Sequence, residues 1–334
     1  MTNRPTQKMK AVFWVAHHLE DALIVDRYVD LAIRELESRG HKAVVCRDTN
    51  SVISEIQDAD IMIGYRILPA MFARAKKLKW IQFGSAGIDH TIFPELLESD
   101  IIITTMSGIH RTAVSEHVLG LMLALSRRIH TAIRNQEQHV YDRAVIAPFA
   151  DNLSDKTAGI VGLGKIGTEL ARLCKSLGMK VIGTKRTIEG QLDYVDQVLP
   201  PTALDIVLKQ ADYVVLIVPL TADTQALIGE RELKLMKPSA YIVNVARGRM
   251  IDEQALIQAL REGWIAGAAL DVFTQEPIPH DNPLWDLPNL IITPHVAGSF
   301  SGYSERAFEV FRENLNAFEE GQPMINVFNR QRGY

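Results

Sequence analysis

Cysteine is almost absent: the 334 residues hold only Cys46 and Cys174, far apart and outside any metal-ligand spacing. That excludes a disulfide scaffold and a thiolate metal centre, and it fits a reducing cytosol. A basic excess is missing as well. Thirty-six Lys and Arg against forty Asp and Glu leave a net charge of −4, with nothing in the bulk charge to draw nucleic acid. Long hydrophobic runs are also lacking. The most apolar helical candidate, Val118 to Leu125, is far short of the roughly 20 residues that cross a bilayer. The start, Met1 to Lys10, leads into no apolar core of signal-peptide length. No fixed-period repeat and no low-complexity segment occurs. The expectation is a cytoplasmic protein with no nucleic-acid, membrane or metal partner.

What is present is a globular composition, 47% apolar and 23% charged, over a length that exceeds one core. Two domains of roughly 100–200 residues are expected. Strand-like runs alternate with helical ones, which predicts an α/β fold of two Rossmann-like domains with parallel sheets. The strand candidates are Ala11–Val15, Ala43–Cys46, Ile61–Gly64, Trp80–Phe83 and Ile101–Thr104, then Ala158–Val161, Lys180–Gly183, Tyr213–Val218, Tyr241–Val245, Ala268–Val272 and Leu290–Thr293. Two helices bracket the second set. Val118, Leu121, Met122 and Leu125 form one apolar stripe; Phe308, Phe311, Leu315 and Phe318, after Gly302, form the other. The simplest arrangement lets the second helix close the first domain. Residues 1–111 and 300–334 then form a discontinuous substrate-binding domain, and residues 112–299 an inserted dinucleotide-binding domain. A ligand is expected in the cleft between them.

Gly162-Leu163-Gly164-Lys165-Ile166-Gly167 reads G-x-G-x-x-G between a strand candidate and a helical stretch. The bland alternative is a merely tight turn. In this context the first glycine suits the turn, the second lets a pyrophosphate approach the backbone, and the third permits helix–strand packing. Helix N-terminal amides would receive the negative charge. Cys174 falls on the apolar stripe of that helix and reads as a core thiol. The next strand ends in Thr184-Lys185-Arg186-Thr187, with no acid before Glu189. An NAD site usually carries an Asp or Glu there for the ribose hydroxyls; two cations and two hydroxyls suit a 2′-phosphate instead. NADP(H) is therefore the expected cofactor, with NAD(H) the second choice. The alternative is a solvated surface turn.

Three further runs each follow a strand candidate: Asn244-Val245-Ala246-Arg247-Gly248, Asp271-Val272-Phe273 leading to Glu276-Pro277, and Thr293-Pro294-His295-Val296-Ala297-Gly298. Singly, Arg247 could pair with a surface acid, Glu276 could be solvated and His295 could be a satisfied loop histidine. Together, and beyond a dinucleotide turn, they resemble the D-isomer-specific 2-hydroxyacid dehydrogenases. Gly84-Ser85-Ala86-Gly87-Ile88-Asp89 and Ala113-Val114-Ser115-Glu116-His117 extend the likeness over almost the whole chain. The basic turn is similar to that of NADPH-using members of the glyoxylate/hydroxypyruvate reductase subgroup.

The resemblance implies reduction of a 2-keto acid to a D-2-hydroxy acid. Arg247 would hold the substrate carboxylate and polarise the ketone, and His295 would donate the proton. Glu276 would orient the imidazole and favour its charged form. It also implies Lys165 and Ile166 at the pyrophosphate, and Pro219 and Thr224 beside the ribose and phosphates, although Pro219 also reads as a strand terminator. Val245, Ala246, Arg247, Asp271, His295 and Gly298 would line the nicotinamide end. Ala86 and Gly87 resemble the family's carboxylate-binding loop, where glycine permits close approach. Tyr65 and Arg66 are expected at the same cleft, Arg66 being equally readable as a surface charge. A homodimer is implied. Residues 134–156 depart from the family pattern, with Tyr141 and Phe149 but no tryptophan before the second domain. Formate dehydrogenases resemble this architecture with a glutamine where Glu276 stands. Dinucleotide-sensing corepressor scaffolds share the fold and form the alternative reading, which the basic turn disfavours.

Overall fold

Alternate residues of the strand Lys10–Trp14 (β1) enter different cores: Ala11 and Phe13 one, Val12 and Trp14 the other. A strand buried on both faces belongs inside a covered parallel sheet. The computed structural model describes residues 8–15, 22–188, 190 and 192–333; residues 1–7 and Glu189 lie outside them. In it β1 is flanked by Lys42–Cys46 (β2) and Ile61–Gly64 (β3), with Trp80–Phe83 (β4) and Ile102–Thr104 (β5) following. The order is β2-β1-β3-β4-β5, all parallel.

The chain divides into two units, Met1–Ile109 with Phe300–Tyr334, and His110–Ser299. In the first, the helix Tyr303–Glu320 starts after Gly302 and stops where Gly321 turns left-handed at φ 65°. Its Phe311 lies over Trp80, ring centroids 5.7 Å apart and planes 13° from parallel. Behind that stack Asn314, Gln82 and Thr104 are buried but bonded. Thr104 Oγ1 and Asn314 Nδ2 both donate to Gln82 Oε1, and Trp80 Nε1 donates to Thr104 Oγ1 at 2.7 Å.

In the second unit seven parallel strands form one sheet: Thr157–Val161 (β6), Lys180–Thr184 (β7), Gln197–Leu199 (β8), Tyr213–Leu216 (β9), Tyr241–Asn244 (β10), Gly267–Leu270 (β11) and Leu290–Ile292 (β12). Their order is β12-β11-β10-β9-β6-β7-β8. β6 thus sits where the winding reverses, the usual position of a ligand crevice. The edge strand β8 has no counterpart among the sequence candidates: three residues before Pro200-Pro201 show no period. The expected helix appears as Arg111–Ser126, burying Val118, Leu121, Met122 and Leu125. Cys174 is buried in the helix Lys165–Ser176, and burial pushes its thiol pKa up to about 12, consistent with an inert core group. Among the described residues no helix is long and apolar enough to cross a membrane, and no group of His, Cys, Asp and Glu could hold a metal ion.

Candidate active site

The glycine turn leaves β6 with Gly162 at φ +112°, a conformation side chains rarely adopt. A Cβ there would lie 2.4 Å from the Ile217 carbonyl oxygen, and one on Gly167 would lie 2.1 Å from that of Gly162. Gly164 differs: nothing lies within 4 Å of its would-be Cβ, and it caps the helix that begins at Lys165. Two glycines therefore close the turn, and the third leaves bare backbone beside the helix amides. That is the space a pyrophosphate needs, so these residues fit a dinucleotide. Leu163 donates its amide to the Thr184 carbonyl at 2.8 Å, tying the turn to the end of β7.

Beyond that tie stand Lys185, half-buried, and Arg186, exposed. Thr184, the last ladder residue of β7, is 3% exposed and stands directly before the two cations. On the far side of β6, the Thr224 hydroxyl donates to the Pro219 carbonyl at 2.7 Å and accepts the Thr221 amide at 2.8 Å. It closes the loop after β9 while Pro219 stays exposed.

The expected catalytic residues come from three neighbouring strand ends. Asn244, Leu270 and Ile292 lie in one row, since Asn244 pairs with Leu270 and Leu270 with Ile292. Each strand then releases a loop at the same sheet edge. His295 Nδ1 lies 2.7 Å from Glu276 Oε2, and Glu276 Oε1 accepts the Phe273 amide at 2.8 Å. The Glu276 hydrogen bond raises the His295 pKa, against burial and against the positive charge of Arg247. Burial works to raise the pKa of Glu276, but the His295 and Phe273 hydrogen bonds and the Arg247 charge together lower it. One carboxylate and two cations thus share the edge, each feeling the others. The side chain of His295 is 51% exposed and presents its other nitrogen outward.

Arg247 is steered by a residue the sequence reading passes over. Asn244, 1% exposed, accepts the Ala246 amide at 3.0 Å and donates to the Arg247 carbonyl at 2.9 Å. This is an Asx-type turn, and an asparagine at a strand end is its local signature. Gly248 is equally informative: a Cβ there would lie 1.9 Å from the Phe273 carbonyl carbon. Only bare backbone lets the Arg247 loop run so close to the Phe273–Glu276 loop.

The Asp271 carboxylate is 1% exposed and accepts three hydrogen bonds from the segment around His295: Thr293 Oγ1 at 2.6 Å, the Val296 amide at 3.0 Å and the Ala297 amide at 2.9 Å. Two amides next to His295 are thereby pinned, and His295 itself holds φ 55°. Asp271 thus positions the histidine loop. His117 Nε2 supports it from 3.1 Å off Thr293 Oγ1. Gly298 offers its carbonyl to His110 Nδ1 at 3.0 Å, Ala246 is buried and Val245 is partly covered.

In the first unit the two expected substrate loops meet. Gly64 pairs with Phe83, so the segments Tyr65-Arg66 and Gly84–Gly87 leave β3 and β4 at one level. The Tyr65 ring packs so tightly on Gly84 that a Cβ would lie 3.0 Å from its Cζ. Tyr303 donates its hydroxyl to the Gly84 carbonyl, and Ser85 Oγ donates to that of Gly87 at 3.0 Å. Ala86 is exposed, Gly87 is partly so, and Arg66 is exposed beside Trp14.

The profile of the D-isomer specific 2-hydroxyacid dehydrogenase, NAD binding domain, matches residues 119–297. A glyoxylate reductase from Thermofilum pendens is 37% identical over 88% of this chain and 83% of its own length. A D-isomer specific 2-hydroxyacid dehydrogenase family protein from Aeromonas salmonicida superposes with TM-score 0.79 at 31% identity, over 97% of this chain and 100% of its own. An NADPH-dependent glyoxylate/hydroxypyruvate reductase from Sinorhizobium meliloti, solved with NADP and sulfate, gives TM-score 0.81 at 26% identity, over 97% of this chain and 100% of its own.

Proposed function

This chain belongs to the D-isomer specific 2-hydroxyacid dehydrogenase family, and from that premise we propose that it uses NADPH to reduce a glyoxylate- or hydroxypyruvate-like 2-keto acid to the D-2-hydroxy acid. As an NAD(P)-dependent dehydrogenase it works with a nicotinamide that supplies the hydride when bound. The chain's own residues do the rest. The observation that carries the assignment is the 2.7 Å bond between His295 and Glu276 with the Arg247 charge felt by both.

His295, whose protonated form Glu276 favours, gives its Nε2 proton to the ketone oxygen as that oxygen gains negative charge. Arg247 offers a planar fork of N–H donors to the substrate carboxylate and places positive charge beside the developing alkoxide. In the first unit, the Ala86 and Gly87 backbone is the proposed carboxylate-binding loop. Gly162, Gly164 and Gly167 admit the pyrophosphate to the amides of Lys165 and Ile166, while Pro219 and Thr224 shape the opposite wall. Val245, Ala246, His295 and Gly298 border the nicotinamide end. Lys185 and Arg186 bind the 2′-phosphate, and the NADP-bound relative supports that preference.

The chain also acts as a homodimer in this proposal. Ile129, Ile133, Val140, Tyr141, Val145 and Phe149 are all exposed along one stretch of the second unit. So many exposed apolar side chains in one stretch of sequence favour an interaction face. NADPH oxidation assayed with glyoxylate and hydroxypyruvate tests the function: turnover with either is expected, and none with any 2-keto acid would overturn it.

A further inference from the structure

The loop that carries His295 begins at Thr293 and ends at Gly298. At its middle His295 holds φ 55° without being glycine, a conformation that persists only where the surroundings impose it. Asp271 supplies part of that restraint by taking the Val296 and Ala297 amides. The two ends of the loop are held by the helix Arg111–Ser126 and its N-cap residue His110. His117 Nε2 lies 3.1 Å from Thr293 Oγ1, and His110 Nδ1 lies 3.0 Å from the Gly298 carbonyl oxygen.

Donor chemistry fixes the direction of both bonds. Thr293 has one hydroxyl hydrogen, and the Asp271 carboxylate, 2.6 Å away, can only accept it. The Thr293 oxygen therefore accepts from His117, whose proton sits on Nε2. A carbonyl likewise only accepts, so His110 carries its proton on Nδ1; burial lowers the pKa of this ring and favours its neutral form. Glycine at 298 lets the ring come near, since a Cβ there would lie 3.1 Å from His110 Nδ1. Seven residues separate the two histidines, which puts them on one side of the helix, about 10.5 Å apart along its axis. The loop spans that distance in the opposite sense, Thr293 against His117 and Gly298 against His110. The helix is a firm support, because its Val118, Met122 and Leu125 are buried in one core with Ile160 and Leu170.

We propose that His110 and His117 are positioning residues that clamp the two ends of the Thr293–Gly298 loop and so hold the His295 imidazole in the orientation from which it gives up its proton. This rests on the keto-acid reduction assigned above and deepens it. Neither histidine is asked to meet the substrate. Each acts through the backbone that presents His295.

The test compares the whole enzyme with His117→Leu, His110→Leu, the double variant and His117→Gln, using NADPH with glyoxylate. Each single leucine lowers kcat about 10-fold and the pair about 100-fold, since a misplacement of roughly 1 Å costs that much. NADPH Kd changes by less than about threefold, as expected when orientation and not binding is lost. Amide hydrogen exchange across residues 293–298 speeds up. The fall of kcat/KM with rising pH begins at lower pH, because a loosened imidazole loses the Glu276 bond that raises its pKa. His117→Gln, whose side-chain amide donates in place of Nε2, restores most of the rate and of the pH profile. A merely structural residue would lower Tm and leave the pH profile of the folded enzyme in place. Thr293→Val breaks the same end from the loop side and replaces His117→Leu where that variant does not fold. Unchanged exchange or an unmoved pH profile in the leucine variants overturns the clamp and leaves the reduction assignment standing. Failure of the unaltered enzyme with every keto acid overturns that assignment, and amide exchange alone then decides the clamp.

Discussion

Replacing Gly248 by alanine should disable catalysis while leaving the cofactor site standing. The added Cβ would lie 1.9 Å from the Phe273 carbonyl carbon, 2.2 Å from its oxygen and 2.4 Å from the Thr274 nitrogen. Carbon atoms in contact need about 3.5 Å, so one of two backbones must retreat by roughly 1.5 Å. Neither retreat is neutral. One carries Arg247, and the other carries the Phe273 amide that holds Glu276. A misplacement of about 1 Å costs on the order of 100-fold in rate, and overpacking costs about 1–3 kcal/mol of stability. The expected result is a loss of about 100-fold in kcat/KM, with Tm lower by roughly 2–10 °C and the NADPH Kd changed by less than about fivefold. Gly120→Ala is the matched control. It lies in the helix Arg111–Ser126 with nothing within 4 Å of its would-be Cβ, so stability should hold or rise. A folded Gly248→Ala enzyme with kcat/KM within about fivefold of the parent would refute the idea that this contact sets the active geometry.

In the proposed mechanism reduction requires protonated His295, whose pKa Glu276 raises; activity is therefore expected to be full below that pKa and to fall as pH rises through it. Glu276→Gln removes the supporting charge, so the fall should begin at lower pH, and an unmoved kcat/KM–pH profile would break the pair. Oxidation of the hydroxy acid needs the neutral ring and should show the opposite limb. Lys185→Ala with Arg186→Ala should raise KM for NADPH about 10-fold or more and leave NADH nearly unaffected, which stopped-flow or steady-state titration reads directly. Equal losses for both cofactors would assign the cations another task. Ile133→Glu places a charge in the exposed apolar stretch; light scattering should then find monomer where the parent is a dimer, and a parent that is already monomeric removes the interface.

Local chemistry made much of this molecule legible from its residues. A glycine turn can be read because its neighbours, a strand before and a helix after, are themselves periodic. Arg247, Glu276 and His295 can be suspected because each follows an apolar strand run. Their adjacency is another matter. It depends on β10, β11 and β12 lying side by side, and strand order is written in no single stretch of chain. Strand ends were overrun for a simple reason: Ile217, Val218 and Val272 remain apolar after the ladder bonds stop. Asp271 shows what a motif leaves out: the Val296 and Ala297 amides bonded to its buried carboxylate lie 25 and 26 residues further along the chain, so its part in fixing the His295 loop is not readable locally. The helix Ile129–Glu137 carries Ile129 and Ile133 outward, and apolar periodicity alone does not tell an inward stripe from an exposed one.

The stack of Trp80 on Phe311 also orders events in time. The ribosome makes Trp80 long before Phe311, and the whole of His110–Ser299 is synthesised in the interval. At about 5–20 residues per second that interval is on the order of 12–46 s. The unit that begins first therefore finishes last, its tryptophan uncovered while the inserted unit can already fold. Limited proteolysis of chains truncated before Phe300 reads that order directly: residues 110–299 resist, and the nascent first sheet is cut. The discontinuity that makes one domain out of two chain ends thus gives the protein a vulnerable period during its own synthesis.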